Sequence, residues 1–201
     1  MTVIALPAGF CPNQFSMRLA PVQRVHSSPF GGSEQVVDLL NDRWTASMSL
    51  PNRTHSDAAK YEAFIGALRG MANTANLYHF ARQIPRGTMR GAPFVNGADK
   101  GAASIMIVAP AFSTLLAGDM IGLGGLLLQV SEDCIADGVV DSGMRRCVVP
   151  LVNRVRRNVV AGTAVIWDKP TAPFRLMSPS SVQYVPGYAE GISLDFAEAI
   201  V

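Results

Sequence analysis

The sequence predicts a mainly β fold, an antiparallel β-sandwich or small barrel with one flanking α-helix at about 57–70. Three observations predict it. Glycine and proline, 18 and 13 of 201 residues, separate short apolar runs along the whole chain, and such punctuation marks strands and turns. Several of these runs alternate apolar and polar residues, as a half-buried strand does. Only one stretch spaces its apolar residues as a surface helix does.

In chain order, 17–25 reads as a strand, and Ser27-Ser28-Pro29-Phe30-Gly31-Gly32 reads as a loop. From Arg43 to Leu50, the residues Trp44, Ala46, Met48 and Leu50 fall on one face, and Pro51 ends the strand. The helix follows. Ser56 is its expected cap, Asp57 lies in its first turn, and Tyr61, Phe64, Ile65 and Leu68 form one stripe. Gly70 is its expected closing residue. Residues 76–83 read as a strand, Pro85-Arg86-Gly87-Thr88 as a turn, 89–102 as extended or looped, and 103–108 as a strand.

Residues 115–130 are the most organised. They read as strand, Gly118-Asp119 turn, strand, Gly124-Gly125 turn, strand. Further turns are expected at Asp137-Gly138 and Ser142-Gly143, and strands at Cys147-Val148-Val149, 159–166, Pro173-Phe174-Arg175-Leu176 and 191–200. This is a meander of short strands. The chain is expected as one domain over 1–201. Within it, 1–100 plus 170–201 would form a β-sandwich with the helix, and 101–169 an inserted β-meander or barrel.

Charged residues make up 16% of the chain and apolar residues 49%, with mean hydropathy +0.23. Ordinary soluble domains carry about 25% charged residues. A disordered chain is excluded by the apolar content. A spanning helix needs about 20 consecutive apolar residues. The most apolar stretch, 102–130, is broken by Pro110, Gly118, Asp119, Gly122, Gly124 and Gly125, so no membrane span is expected. Met1 to Phe10 is apolar but short, has no basic leader and holds Pro7, and is not expected to act as a secretory signal. The missing charge is then best read as surface covered by neighbouring subunits.

Net charge is +2, too balanced to announce specific nucleic-acid binding. Arg145, Arg146, Arg154, Arg156 and Arg157 do cluster in sequence. They read first as a solvated strand face or interface rim and second as a phosphate site, since no aromatic residues are interleaved. Cys11, Cys134 and Cys147 are odd in number and form no CxxC pair, so free thiols are expected, with a Cys134–Cys147 bridge as the alternative.

No reaction motif is present. There is no Gly-x-Ser-x-Gly elbow, no HExxH and no phosphate loop. His26, His55 and His79 stand apart in sequence, at a loop, at the helix start and within a strand. Glu132, Asp133, Asp137 and Asp141 lack the two-residue spacing of a calcium loop and read as solvated turn acids. No enzyme is expected, and no catalytic, cofactor-binding or metal-ligating residue. A cell-wall hydrolase with converging carboxylates is the weakest of the functional classes.

The stretch 115–151 resembles a pattern of tailed-bacteriophage tail proteins. It holds Leu115-Leu116-Ala117-Gly118-Asp119, the Gly124-Gly125 turn, Leu127-Leu128-Gln129-Val130, Ala136-Asp137-Gly138, Gly143 and Val148-Val149-Pro150-Leu151. Ser28-Pro29-Phe30-Gly31-Gly32, the Trp44 strand, the helix, Pro85-Arg86-Gly87-Thr88 and Phe174-Arg175-Leu176 are similar to the same group. Leu126-Leu127 and the two central cysteines depart from it. The resemblance implies a virion structural protein of the tail tip or baseplate, similar to distal tail proteins and assembled in the host cytoplasm. It implies a homo-oligomeric ring, expected as a hexamer, that joins the tail tube to hub, tape-measure, fibre and receptor-binding components. The residues expected at its contacts are Pro29, Phe30, Gly31, Gly32, Arg154, Arg156 and Arg157. The alternative is a carbohydrate- or receptor-binding module of the tail tip, with Trp44 or Trp167 beside Tyr184 and Tyr188 stacking on sugars.

Overall fold

A computed structural model describes residues 1–28, 31–39, 41–139, 143–178 and 180–200. It is mainly β with one helix. In chain order the elements begin with β1 (Val3–Ile4), β2 (Gln14–Ala20), β3 (Gln23–Ser27), β4 (Glu34–Asp38), β5 (Arg43–Ser49), α1 (His55–Leu68) and β6 (Thr74–Leu77). There follow β7 (Phe94–Val95), β8 (Ser104–Pro110), β9 (Thr114–Leu115), β10 (Met120–Leu123), β11 (Leu126–Gln129), β12 (Cys134–Ile135) and β13 (Gly138–Val139). The last are β14 (Met144–Pro150), β15 (Val165–Ile166), β16 (Ala172–Leu176), β17 (Tyr184–Val185), β18 (Tyr188–Ala189) and β19 (Ser193–Glu198).

The chain divides into two compact units. The first is built from Met1–Arg18, Trp44–Ile84 and Asp168–Val201, the second from Leu19–Arg43 and Pro85–Trp167. The sequence placed its inner boundaries at 100 and 170. The observed first boundary lies earlier, because Pro85 to Ala102 pair and pack with the meander, as in the ladder between β7 and β8. Residues 19–43 also join the second unit, a long-range grouping that no local pattern announces.

The first unit holds a six-stranded sheet in the order β1-β6-β16-β19-β5-β2. β1 runs parallel to β6, while β6, β16, β19 and β5 pair antiparallel. Alternation in β5 is as the sequence predicts: Trp44, Ala46, Met48 and Leu50 are all buried. Across the ladder Ala46 opposes Phe196 and Met48 opposes Leu194, so strands distant in sequence share one apolar face.

The helix starts earlier than expected. Thr54, not Ser56, is the N-cap, and its hydroxyl accepts the Asp57 N–H at 3.3 Å. Asp57 also takes Lys60 Nζ at 2.8 Å, which holds the Asp57 carboxyl below its usual range. Arg69 closes the helix in the left-handed region at φ 49°, one residue before Gly70. The buried stripe is Ala58, Tyr61, Phe64 and Leu68, with Ile65 half-buried. Phe10 meets Tyr61, Phe64 and Phe80 at ring separations of 5.9 Å each.

Several strands differ in extent from the sequence expectation. Residues 17–25 are split by Pro21 into β2 and β3, since proline supplies no ladder N–H. The expected strand 76–83 ends at Leu77. His79 therefore lies beyond it, buried, its Nδ1 accepting the Arg82 N–H at 3.0 Å. Burial and the nearby Arg82 cation lower its pKa. Of 159–166, only Val165–Ile166 is a strand, while Val159 and Ala164 make single bridges. Gly138 starts β13 rather than making a turn, and Ser142 and Asp141 lie outside the described residues.

In the second unit the strand, turn, strand, turn, strand order of 115–130 is as expected, but β9 pairs with β12 rather than with β10. β10 and β11 form a hairpin over Gly124-Gly125, whose φ values of 57° and 83° give the turn a twist that suits the flanking strands. β8 and β14 pair over seven residues each. Ile105, Ile107, Ile121, Leu123, Leu128, Cys147 and Val149 meet in the core. Leu126, Leu127 and Leu128 are all buried, so β11 is covered on both faces. That is why no polar residue stands at Leu126-Leu127.

Candidate interaction surface

Two sequence motifs meet in the second unit. The buried Asp119 carboxylate accepts the N–H groups of Arg86 at 2.9 Å, Gly87 at 3.1 Å and Leu116 at 2.8 Å. Arg86 Nε adds an ion pair at 3.8 Å. Gly87 is required here, because a Cβ would stand 2.1 Å from the Thr114 carbonyl oxygen. Pro85-Arg86-Gly87-Thr88 and Ala117-Gly118-Asp119 are thus two halves of one clamp that seats the meander.

Two of the arginines expected at contacts donate to the chain's own carbonyls, while Arg154 and Arg157 remain exposed. Arg154 donates to the Gly101 carbonyl at 3.0 Å, and Arg156 to the Asp42 carbonyl at 2.7 Å. Arg157 lies across the Gly124-Gly125 turn, its guanidinium 3.2 Å from where a Gly125 Cβ would be. The three guanidinium groups lie at three separate places, by Gly101, by Asp42 and by the Gly124-Gly125 turn. They do not converge as a phosphate clamp would require. Arg145 stacks over Phe112 at 5.9 Å.

Gly31 and Gly32 lie exposed between β3 and β4, with Gly32 at φ 60° and the Ser28 N–H donating to the Ser33 carbonyl at 2.9 Å. Pro29 and Phe30 lie outside the described residues. The strand beyond this loop, β4, and its pairing with β3 are not among the sequence expectations. Among the described residues β3 and β4 pair only with each other, and every residue of both is exposed. Their register is Gln23 with Asp38, Arg24 with Val37, Val25 with Val36, His26 with Gln35 and Ser27 with Glu34. Opposed residues share a face. One face therefore carries Val25, Val36, Glu34 and Asp38, and the other Arg24, His26 and Val37. The signal in the sequence was a second run, Glu34–Asp38, placed symmetrically beyond the glycine loop.

The remaining candidates have structural settings. His55 Nε2 lies 2.9 Å and 3.0 Å from the Val185 and Tyr188 carbonyls, and Tyr184 donates to Glu62 at 2.8 Å. These contacts fasten the β17–β18 hairpin to the helix. Trp44 is buried, and Trp167 donates its indole N–H to the Gly91 carbonyl at 3.0 Å beneath Arg90. Asp133 accepts the Ala117 N–H at 2.7 Å. Among the described residues, no three His, Cys, Asp or Glu side chains gather as a metal site requires, and no helix is long and apolar enough to cross a membrane.

All three cysteines are free. The neighbouring Cys147 thiol lowers the pKa of Cys134, and the Cys134 thiol together with burial pushes that of Cys147 up. An open depression lined by Asn13, Ser49, Leu50, Pro51, Asn52, Glu190 and Gly191 holds a single carboxylate. Comparison with protein families and with curated proteins gives no match to this chain.

Proposed function

We propose that this chain is a structural subunit of a phage tail tip or baseplate, similar to distal tail proteins, that assembles as a ring and catalyses no reaction. The observation that carries this reading is the meander from Leu115 to Leu151. The residues that resemble tail proteins fold there as one clamped body, with Asp119 and Gly87 at its seat. Low charge content and the exposed valines of β3 and β4 agree with a subunit that hides surface against neighbours. The exposed edges β1 and β2 of the six-stranded sheet are further places for pairing. The sugar-binding alternative draws less support, since Trp44 is buried and Trp167 is held by Gly91 and Arg90.

The test is the mass of the purified chain by light scattering over a wide concentration range, with electron microscopy of the assembled fraction. A closed multimer with a central opening is expected. A monomer at every concentration overturns the reading.

A further inference from the structure

We propose that the β3–β4 hairpins of neighbouring copies stack on one another, the acidic face of one on the basic face of the next. The inference rests on the ring reading above and specifies its contact.

A two-stranded ribbon with water on both sides is marginally stable at best. Here Val25 is 59% exposed, Val36 55% and Val37 37%, and among the described residues no other strand pairs with either edge. The acidic face has the Val25–Val36 pair at its centre and the other face has Val37 opposite Arg24, so each offers apolar area to a flat partner. The charges are sorted by face. Glu34 and Asp38 flank the Val25–Val36 pair, while the Arg24 cation lies on the side of Val37, with the His26 ring beside it. Because the side-chain period is two, this sorting is set by register alone.

Such a ribbon complements itself, but only in one sense. A two-fold dimer places like face on like face and sets Glu34 near a second Glu34 or Arg24 near a second Arg24. Placing the acidic face on the basic face pairs opposite charges and buries valine on valine. That contact joins two different patches, so it is head-to-tail and propagates into a ring when the rotation closes. The partner on this surface is therefore a second copy of this chain.

The experiment uses two variants of the full chain. One reverses the basic face, Arg24→Glu with His26→Glu. The other reverses the acidic face at Gln23→Lys with Glu34→Lys and leaves Asp38 in place. All four positions are exposed, and circular dichroism checks that each variant folds. Each variant alone is expected to weaken assembly by more than about tenfold, since like charges then face each other across the contact. An equimolar mixture is expected to regain the wild-type mass, because each variant then meets its complement.

If the wild type assembles and either variant assembles equally well, the hairpin contact is overturned while the ring reading stands. If the mixture stays dissociated, stacking of hairpin on hairpin is overturned. A wild type that is monomeric throughout defeats the ring reading itself, and the stacking with it.

Discussion

Two hairpins of the second unit differ in where their apolar residues sit. β10–β11 carries Ile121, Leu123, Leu126, Leu127 and Leu128 and is buried on both faces. β3–β4 carries Val25, Val36 and Val37 and is exposed on both. Both are short antiparallel pairs closed by a glycine-containing loop. The first is held by its surroundings: Asn153 accepts the Gln129 N–H at 3.0 Å and donates to the Leu127 carbonyl at 2.9 Å. The second touches the remainder of its unit near its base, where Val22 N–H donates to Asp42 at 3.2 Å and Arg156 reaches the Asp42 carbonyl. One hairpin is finished by its own chain. The other has the form of a piece awaiting something outside it.

The strongest way to break the contrast is to remove the seat of the buried hairpin. Gly87→Val forces a side chain into the Thr114 carbonyl, and a loss of more than about 4 kcal/mol is expected because backbone must move. Urea unfolding followed by tryptophan fluorescence measures it. A loss near zero would show that the clamp does not hold the meander.

Ile121→Ala and Val25→Ala compare the hairpins directly. The first empties core volume and is expected to cost about 2–5 kcal/mol. The second changes an exposed side chain and is expected to stay within about 0.5 kcal/mol in the isolated chain. Equal costs would mean that β3–β4 is already covered. Amide exchange sharpens the same point with no substitution. The β10–β11 amides should exchange only on global opening, and those of β3–β4 through local opening at much lower free energy.

The smallest effect lies outside both hairpins. His79 has its pKa lowered by burial, so the unfolded chain binds its proton more readily than the folded one. Its contribution is present above about pH 6.5 and is lost as pH falls below that value toward the folded pKa. A thermal melt should therefore drop modestly between pH 7 and pH 5, and His79→Gln should flatten that slope. An unchanged slope in the variant would assign the pH dependence to other groups.

What could be read from the sequence was what local pattern controls. Alternation placed Trp44, Ala46, Met48 and Leu50 on one face, and the Gly-Asp and Gly-Gly turns placed β9, β10 and β11. Three-dimensional partners decided the rest. The strand from Asn76 stops after Leu77, and the aromatic residues beyond it pack as a cluster, Tyr78 against Phe80 at 4.5 Å and Phe15 against Phe80 at 5.1 Å. Arg154, Arg156 and Arg157 are close in sequence, yet each answers to a carbonyl or turn far along the chain. Main-chain acceptors carry no residue signature, so adjacency in sequence overstated convergence in space. The glycine loop at Gly31-Gly32 was legible, but the opposite charges of the ribbon's faces were not. They appear only once the register of β3 against β4 is known.

The strand order of the first unit has a consequence for synthesis. Of the six strands of this sheet β19 comes last in sequence, yet it lies inside it, between β16 and β5. As the chain leaves the ribosome, β5 and β2 have no connection to β6 and β1 until Ser193–Glu198 emerges. The second unit is complete by Trp167 and is free to close first. The sheet is joined from the middle by the last of its own six strands to be made, so a ribosome stalled before that point carries a finished meander and an unjoined sheet.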